Sequence, residues 1–379
     1  MKILIIKTFP GEIKTKKITY NLQEIGLAKS LIRKGHKCDI MCCADGKPRV
    51  SNFVFGENQT IKIYAVKSRT ILKNGFLKDA DNILKQYDIL HMSEYNQLYT
   101  WHLSKKYSDK AIIYHGPYYS AFNKKYNLMA KIFDMFFVDR YRKLNTFFIT
   151  KSILAEKYLK KKNLKNVTTV GVGIDEEMLS CNKSDKCNFY YRLSDFDHKF
   201  KMLYVGKIEK RRNTLFIIDI LKKLVDNGLD VGLVLIGKGC NYRDEVFEKI
   251  KKLNLENNVL YEETLEQKFL KKVYEKCDLF LLPTYYEIYG MVLLEAMYFG
   301  LPTVTTLNGG SSMLINDSFN GFICPNDDLN KWASIIRDIY ENKYDLKTIS
   351  KNASDTIKND FTWDSLADKF IALYNKKLK

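Results

Sequence analysis

The sequence lacks the long apolar runs of an integral membrane protein. No uninterrupted apolar stretch approaches the roughly 18 residues that a bilayer-spanning helix requires. The apolar core of residues 1–7 is far too short for a secretory signal peptide and is typical of a β-strand. We therefore expect a cytoplasmic protein that is not exported.

The cysteine pattern of a zinc ribbon is also missing. The eight cysteines include no Cys-x-x-Cys pair, which argues against such a metal site. Several of them, such as Cys38 and Cys324, lie in or beside apolar runs. Cysteines in such surroundings are usually buried thiols, so we expect reduced cysteines and a reducing compartment.

A dinucleotide fingerprint and internal repeats are absent too. No Gly-x-Gly-x-x-Gly followed by an acidic residue occurs, which disfavours NAD, and the Gly237-Lys238-Gly239 turn alone is a weak signal. No repeat of fixed period is evident. With 379 residues, of which 46% are hydrophobic and 28% charged, the chain is expected to form two folded domains.

Negative charge is scarce, and the formal net charge is +18. Residues 101–170 alone carry fifteen Lys and Arg against four Asp and Glu. A basic chain can attract nucleic acid, an anionic membrane or a phosphorylated small molecule. Aromatic residues such as Tyr119, Phe122 and Phe136 are mixed with these cations, which suits a membrane surface, RNA or a merely solvated lysine-rich face.

Short β-type runs alternate with helical patterns, which predicts parallel sheets built from βαβ crossovers. Predicted strands cover residues 2–6, 37–43, 61–66, 89–92, 111–114, 146–149, 167–170, 202–205, 232–236, 259–261, 278–282 and 303–305. Predicted helices include residues 20–34, 214–225, 244–253, 267–276 and 290–299. The simplest architecture is an α/β fold with two Rossmann-like, doubly wound domains that face a central cleft.

The predicted domains are residues 1–180 and residues 201–360. A polar stretch without a clear period, residues 181–200, is interpreted as the linker between them. The tail, residues 361–379, is amphipathic and predicted to be helical.

The most informative segment leads from a buried strand through Pro283 into a helix that begins near Gly290 and ends at Gly300. The N–H groups of Gly290, Met291 and Val292 would lie at the amino end of that helix, where phosphate binds readily. Two carboxylates frame this point: Glu287 in the loop and Glu295 in the helix.

A carboxylate accepts two hydroxyl hydrogen bonds at once, which suits a sugar diol. Phosphate between two such carboxylates indicates a nucleotide sugar. Structural roles for Glu287 as a solvated loop charge and for Glu295 as a packing residue are the alternative.

A second cluster follows the first strand of the second half. Four cations occur in the six residues from Lys207 to Arg212, beside a predicted helix start where the helix dipole disfavours positive charge. An anion at this position would explain them. Lys207 and Arg212 are the candidates for binding a diphosphate, whereas Lys210 and Arg211 are predicted to be solvated.

Two further candidates lie in the first half. His115 ends a predicted strand, where it would face the cleft as a polar contact to a sugar or serve a structural role. Gly11 follows the first strand and would let its loop approach phosphates or an acceptor.

Taken together, these segments resemble the family-4 retaining glycosyltransferases, which have the GT-B fold. The Glu287–Glu295 pair in its frame from Pro283 to Pro302 carries most of the resemblance. The segment from Gly206 to Arg212 looks like the family's phosphate-binding pair with Lys and Arg exchanged. Residues 173–175 resemble the end of the family's first domain, and Trp363 resembles the start of a helix that crosses back to it.

The resemblance implies a role for each matching residue. Glu287 would contact the donor hexose, and His115 would lie by the transferred sugar. Lys207 and Arg212 would hold the diphosphate, and these four are the predicted catalytic residues. The predicted donor-binding residues are Gly11, Gly206, Lys238, Glu263, Thr264, Gly290, Met291, Val292 and Glu295, the last of which would contact the ribose. No metal or other cofactor would be required.

Three positions depart from the family pattern. The usual glycine pair after the first strand is reduced to Gly11, and a common acidic residue is replaced by Met313. Asn213 stands at a position that is usually glycine, a change expected to be harmless.

The leading hypothesis is a retaining transferase that moves a hexose from a UDP- or GDP-sugar to a glycan or lipid-linked acceptor in cell-surface polysaccharide or glycolipid synthesis. A sugar-nucleotide 2-epimerase of similar fold and a non-catalytic RNA- or membrane-binding protein remain the alternatives. The resemblance places the acceptor in the first domain, where the basic segment lies. That favours a lipid phosphate or the anionic inner membrane surface over nucleic acid as the partner.

Overall fold

The computed structural model describes residues 1–13, 22–71, 74–144, 146–180 and 187–379. The chain forms two compact units, one of Met1–Asp175 with Phe361–Lys379 and one of Glu176–Asp360. Three sequence predictions fall outside the described residues: a helix start at Tyr20, the state of Cys181, and residues 181–186 of the linker.

The first unit is built on an eight-stranded sheet. The strands of this sheet are β1 (Lys2–Ile6), β2 (Lys37–Cys43), β3 (Arg49–Gly56), β4 (Gln59–Val66), β7 (Ile89–Ser93), β8 (Ala111–His115), β9 (Phe147–Thr150) and β10 (Val167–Thr169). Two further strands, β5 (Ser68–Ile71) and β6 (Asn74–Leu77), form a separate antiparallel pair. Its helices up to this point are α1 (Gln23–Arg33), α2 (Asp81–Leu84), α3 (Leu98–Lys106), α4 (Lys124–Lys143) and α5 (Ile153–Lys160).

The strand order in this sheet is β10-β9-β8-β7-β1-β2-β4-β3, and only β3 runs antiparallel to its neighbour. Central strands such as β1 and β8 are buried along almost their whole length. Burial on both faces requires continuous apolar runs, which is why these strands are visible in the sequence. The order reverses between β1 and β7.

The second unit contains a six-stranded parallel sheet. Its helices are α6 (Asn188–Asp195), α7 (Thr214–Asp226), α8 (Asn241–Lys252), α9 (Gln267–Lys276), α10 (Met291–Tyr298), α11 (Ser311–Leu314), α12 (Leu329–Tyr340) and α13 (Leu346–Asp360). Its strands are β11 (Phe200–Val205), β12 (Val231–Ile236), β13 (Val259–Glu262), β14 (Leu279–Leu282), β15 (Thr303–Thr305) and β16 (Phe322–Ile323).

The strand order here is β13-β12-β11-β14-β15-β16. The chain fills one side of β11 before it crosses to the other, so the order reverses between β11 and β14. These two strands are hydrogen-bonded neighbours, with Met202 opposite Leu279 and Leu203 opposite Phe280. Ligands of open parallel sheets bind outside the carboxyl ends of the strands at such a reversal, which selects the loops after β11 and β14.

Part of the segment predicted as a linker is helical. Helix α6 buries Phe189 and Leu193, and β11 already begins at Phe200. Two apolar residues four apart make only one helical turn, so this pattern did not stand out among polar neighbours. The two units divide after Asp175, five residues before the predicted end of the first domain.

The last helix, α14 (Trp363–Leu378), belongs to the first unit. The backbone of Ile174 is hydrogen-bonded on both sides of its start, to Phe361 O at 2.9 Å and from Trp363 N at 3.2 Å. A Cβ atom on Gly26 of α1 would lie 2.2 Å from the Trp363 ring. The indole therefore packs directly on the backbone of α1.

Among the helices of the described ranges, none has the length and apolar character that crossing a membrane requires. The seven cysteines in these ranges are free thiols, and five of them are buried. For these seven, the structure agrees with the prediction of reduced cysteines.

Candidate active site

The loop after β14 delivers a carboxylate and a helix start to the point where the strand order reverses. Gly290 has φ 82° and ψ 80°, a left-handed conformation that glycine adopts at little cost. The first backbone hydrogen bond of α10 is donated by Leu293 N to Gly290 O at 2.9 Å. The amide groups of residues 290–292 thus form the amino end of α10, where partial positive charge favours an anion.

Glu287 precedes this helix start and is held by two arginines. Arg212 Nη1 contacts Glu287 Oε2, and Arg211 Nη1 lies 3.2 Å from the same oxygen. The carboxylate side chain is only 10% exposed, so these ion pairs are partly shielded from solvent. Both arginines come from the loop after β11, which means that the two loops are joined through Glu287.

Arg211 is a site residue that the sequence prediction placed in solvent. Its Nη1 also donates to Tyr286 O at 2.7 Å, and its Nη2 lies 2.7 Å from Glu209 Oε1. Burial alone would lower the pKa of Arg211, but the carboxylates of Glu287 and Glu209 outweigh burial and raise it. The sequence shows only that cations are dense in this loop; which of them turns inward depends on the tertiary fold.

Lys207 remains exposed at the end of the same strand. Tyr204 donates from its hydroxyl to the Lys207 carbonyl at 2.7 Å, which fixes the backbone of this turn. In the part of the chain that the structure describes, the ammonium group makes no ion pair with a carboxylate. The side chain is therefore accessible to an anionic ligand, and its contact with a diphosphate stays a prediction.

The loops after β11, β12 and β13 are joined by backbone hydrogen bonds. Gly206 N donates to Ile236 O, and Gly237 N donates to Glu262 O, both at 2.9 Å. A Cβ atom on Gly237 would lie 1.8 Å from Gly206 O, so no larger residue fits there without a backbone shift. This close approach explains the glycine after β12.

The remaining predicted donor contacts follow the outer strands of this sheet. Lys238 lies after β12, and Glu263 and Thr264 lie after β13; all three are exposed. Because β12 and β13 lie successively further from β14, these residues extend the candidate site away from Glu287. Their roles stay predictions.

Glu295 is almost fully buried in α10, at 4% exposure. It accepts hydrogen bonds from Gln267 Nε2 at 2.6 Å and from Tyr274 OH at 3.1 Å. Burial and then the charge of Glu295 raise the pKa of Tyr274 well above its usual range. An ionised carboxylate has about four acceptor sites, and the ribose contact of Glu295 stays a prediction. The sequence prediction missed Gln267 and Tyr274 because pairing between helices leaves no periodic signal.

A pair of glycines presses on the loop that carries Glu287. Gly309 N donates to Glu287 O at 3.0 Å. A Cβ atom on Gly309 would lie 1.9 Å from Ile288 O, and one on Gly310 would lie 1.7 Å from Tyr289 O. Because Gly309 and Gly310 have no side chains, the loop that carries Glu287 can pack this closely against them.

Asn213 adopts φ 55° and ψ 41° before α7. This left-handed conformation explains why glycine is usual there, and asparagine is among the residues that tolerate it. The side chain adds a hydrogen bond to Asp327 Oδ1 at 3.1 Å. Asp327 also accepts a hydrogen bond from Tyr285 OH at 2.7 Å.

The first unit holds His115, the residue predicted either to contact a sugar or to serve a structural role. Its side chain is fully buried, with Nδ1 2.7 Å from Glu94 Oε2 and rings of Tyr95 and Tyr158 around it. Burial alone would raise the pKa of Glu94, but His115, Lys151 and a backbone amide outweigh burial and lower it. The imidazole is thus paired with a buried carboxylate inside the first unit. A sugar contact by His115 stays a prediction and requires that the ligand reach this buried ring.

Gly11 lies in the first unit, after β1, with φ 113° and open space around its Cβ position. The second unit therefore brings together Arg212, Glu287 and the amino end of α10, with Lys207 in the same loop as Arg212, whereas Gly11 and His115 belong to the other unit. Among the described residues, no cluster of three or more His, Cys, Asp or Glu side chains could hold a metal ion.

Residues 192–356 match the model of the family described as glycosyl transferases group 1. Over these residues the chain is similar to glycosyl transferases group 1, and we call residues 192–356 the group 1 domain. The match begins in α6 and ends in α13, so the group 1 domain contains both loops of the candidate site. The resemblance seen in the sequence is confirmed at this level.

Curated relatives support the same assignment. An uncharacterized glycosyltransferase of Methanocaldococcus jannaschii is 24% identical over 371 residues, which cover 92% of each chain. The Escherichia coli UDP-Gal:alpha-D-GlcNAc-diphosphoundecaprenol alpha-1,3-galactosyltransferase is 25% identical over 206 residues, which cover 54% of this chain and 52% of that protein.

Among solved structures, Anabaena HepE in complex with UDP is similar to this chain with a TM-score of 0.75. The identity is 15%, and the match covers 99% of this chain and 100% of HepE. HepE has also been solved with UDP-glucose. The likeness shows the fold, and the predicted α/β GT-B fold with two Rossmann-like domains is confirmed.

Proposed function

We propose that this chain is a retaining, metal-independent hexosyltransferase that takes a hexose from a UDP-sugar. The acceptor is a hydroxyl of a glycan or lipid-linked sugar in cell-surface polysaccharide or glycolipid synthesis. The observation that carries the proposal is the joined pair of loops after β11 and β14, where cations, Glu287 and the amino end of α10 meet. The complexes of HepE and the name of the Escherichia coli relative favour uridine over guanosine as the base.

The positive groups of this cluster suit the diphosphate of the donor. Lys207 and Arg212 supply full charges, and the amino end of α10 supplies backbone donors. In these roles they stabilise the negative charge that develops on UDP as it leaves, which is the part that a divalent cation plays in other transferases. Arg211 remains on Glu287 and keeps that carboxylate in place.

Glu287 suits the hexose because it lies at the helix start and a carboxylate accepts hydroxyl hydrogen bonds. Glu295 is assigned to the ribose, with Gln267 and Tyr274 fixing its carboxylate. The donor would thus be held at three points, at its hexose, diphosphate and ribose. Such positioning lowers the entropic part of the barrier.

The configuration at the anomeric carbon is retained if the acceptor hydroxyl attacks that carbon from the same face as the departing UDP. The bond between the anomeric carbon and the phosphate oxygen breaks, and the acceptor oxygen bonds to the same carbon. The acceptor proton passes to the departing phosphate oxygen. No side chain is then needed as a nucleophile, and the protein contributes leaving-group stabilisation and orientation.

A panel of UDP-, GDP- and ADP-hexoses tests the donor by thermal stabilisation of the purified chain. A donor at 100 times its dissociation constant stabilises by about 2.7 kcal/mol. The selected donor is then incubated with a lipid extract, and UDP release and labelled hexose in the lipid are measured, with and without EDTA. Transfer that is insensitive to EDTA supports the proposal.

Glu287→Gln is the matched variant for this assay, and Glu275→Gln, on the exposed face of α9, is its control. We expect transfer to fall by about 100-fold or more in the first and to persist in the second. Equal transfer by both variants would contradict the assignment of Glu287. Formation of an epimeric UDP-sugar without an acceptor would instead establish an isomerase.

A further inference from the structure

The longest helix of the first unit, α4, presents apolar side chains to solvent. The exposed ones are Leu128 (60%), Met129 (45%), Ile132 (42%), Met135 (71%) and Phe136 (57%). At 100° per residue they form one stripe along the helix. We call this stripe the α4 outer face. Tyr119 and Phe122, just before the helix, are exposed as well.

The opposite side of α4 already anchors the helix to the core. Ala130, Phe133, Val138 and Tyr141 are buried there. Tyr141 OH donates to Tyr95 O at 3.0 Å. The fold of the first unit therefore accounts for the inner side of α4. The α4 outer face is apolar surface that no described residue of this unit covers.

Cations surround this stripe. Lys124, Lys125, Lys131, Arg140 and Lys143 are all exposed on α4. Among the described residues, none of these five pairs with a carboxylate. The two acidic residues of the helix pair with other side chains. Asp134 accepts a hydrogen bond from Tyr95 OH at 2.8 Å and contacts Lys162, and Asp139 contacts Arg142.

We propose that the α4 outer face docks this protein on an anionic lipid bilayer. The apolar stripe enters the boundary between headgroups and acyl chains, and the five cations contact lipid phosphates. A surface helix that combines a stripe of Leu, Ile, Met and Phe with flanking Lys and Arg is the form that interfacial binding takes. Its 20 residues give a contact about 30 Å long.

Charge favours lipid over a protein partner. Lysine is depleted in protein interfaces, where its strongly hydrated ammonium is costly to bury. At a bilayer the same ammonium stays at the headgroup level and gains from the negative surface potential. A protein partner or a second copy of this chain would leave the cations of α4 without this gain.

This docking adds a location to the proposed function, because a lipid-linked acceptor would then be met at the membrane surface. Only that consequence rests on the proposed function; the binding itself does not. Vesicle binding is measured without donor or acceptor, so its failure is distinct from a failure of glycosyl transfer.

The test is co-sedimentation of the full chain with phosphatidylcholine vesicles, with and without phosphatidylglycerol. We expect binding only to the anionic vesicles, weakened by salt. Lys124→Gln/Lys125→Gln/Lys131→Gln should weaken partitioning by about 100-fold, because each cation near the surface contributes about fivefold. Leu128→Gln/Met135→Gln/Phe136→Gln should weaken it by at least about tenfold.

The control is Val50→Gln/Val54→Gln on β3, where both valines are more than half exposed in the same unit. This pair should bind vesicles like the wild type. Absence of binding to anionic vesicles, or equal binding by all variants, overturns the proposal. A dimer in light scattering that the Leu128, Met135 and Phe136 variant abolishes would also overturn it, since the face would then join two copies of this chain.

Discussion

Replacing Gly310 by alanine should disable the loop that carries Glu287 without touching Glu287 itself. Gly310 has φ −67° and ψ −53°, so alanine fits the backbone there. The added Cβ atom, however, would lie 1.7 Å from Tyr289 O. The perturbation is thus a steric push on one loop rather than backbone strain.

The expected magnitude follows from that distance. Restoring ordinary contact requires a shift of roughly 1.5 Å, and overpacking of this kind costs about 1–3 kcal/mol. Alanine regains about 0.4–1 kcal/mol by restricting the unfolded chain. The free energy of unfolding should therefore fall by about 1–2 kcal/mol. A displacement of this size at the helix start should lower transfer by about 100-fold.

The assay compares Gly310→Ala with Gly46→Ala, which adds the same atom where no neighbour lies within 4 Å. Urea unfolding gives the stability change, and UDP-hexose turnover at donor saturation gives the change in kcat. Gly46→Ala should leave kcat unchanged and raise the free energy of unfolding by about 0.4–1 kcal/mol, because only the unfolded chain is restricted. If Gly310→Ala were as stable and as active as Gly46→Ala, the glycine pair would not set the loop, and the reasoning would be refuted.

Two further predictions concern buried ionisable groups. Burial lowers the pKa of His91 to about 3, against about 6.5 when unfolded, so its contribution to stability is full above pH 6.5 and is lost as the pH falls toward 3. The free energy of unfolding, measured with urea, should therefore fall less steeply between about pH 7 and pH 5 in His91→Gln than in the wild type, by up to about 1.4 kcal/mol per pH unit. Equal pH slopes in the two proteins would contradict this. Glu295→Gln places an amide against Gln267 and Tyr274 and should cost about 1–3 kcal/mol, whereas the exposed control Glu275→Gln should cost nothing measurable in the same unfolding experiment.

The central strands could be read from the sequence because burial on both faces imposes a continuous apolar run. β1 and β2 have the predicted bounds. Strand β3, which pairs antiparallel with β4, was missed because it lies at the sheet edge and is only half-buried on alternate residues. Edges and ends depend on local exposure, which periodicity reports poorly.

The residue types of the candidate site could also be predicted, but not their pairing. The chain order alone places Lys207 and Glu287 after strands, and only the sheet order makes those strands neighbours. Arg211 turns inward because two carboxylates meet it there, and His115 is buried because Glu94 draws it in. Such choices depend on contacts between distant segments, which a single sequence does not encode as a pattern.

The most direct test of the central claim is the affinity for UDP of Lys207→Gln against Lys210→Gln, measured by calorimetric titration. Both lysines are exposed in one loop of the group 1 domain, and only Lys207 is assigned to the diphosphate. The account predicts that UDP binds the wild type, that Lys207→Gln weakens binding by about tenfold or more, and that Lys210→Gln binds like the wild type. Equal affinity in both variants, or no UDP binding by the wild type, would contradict it.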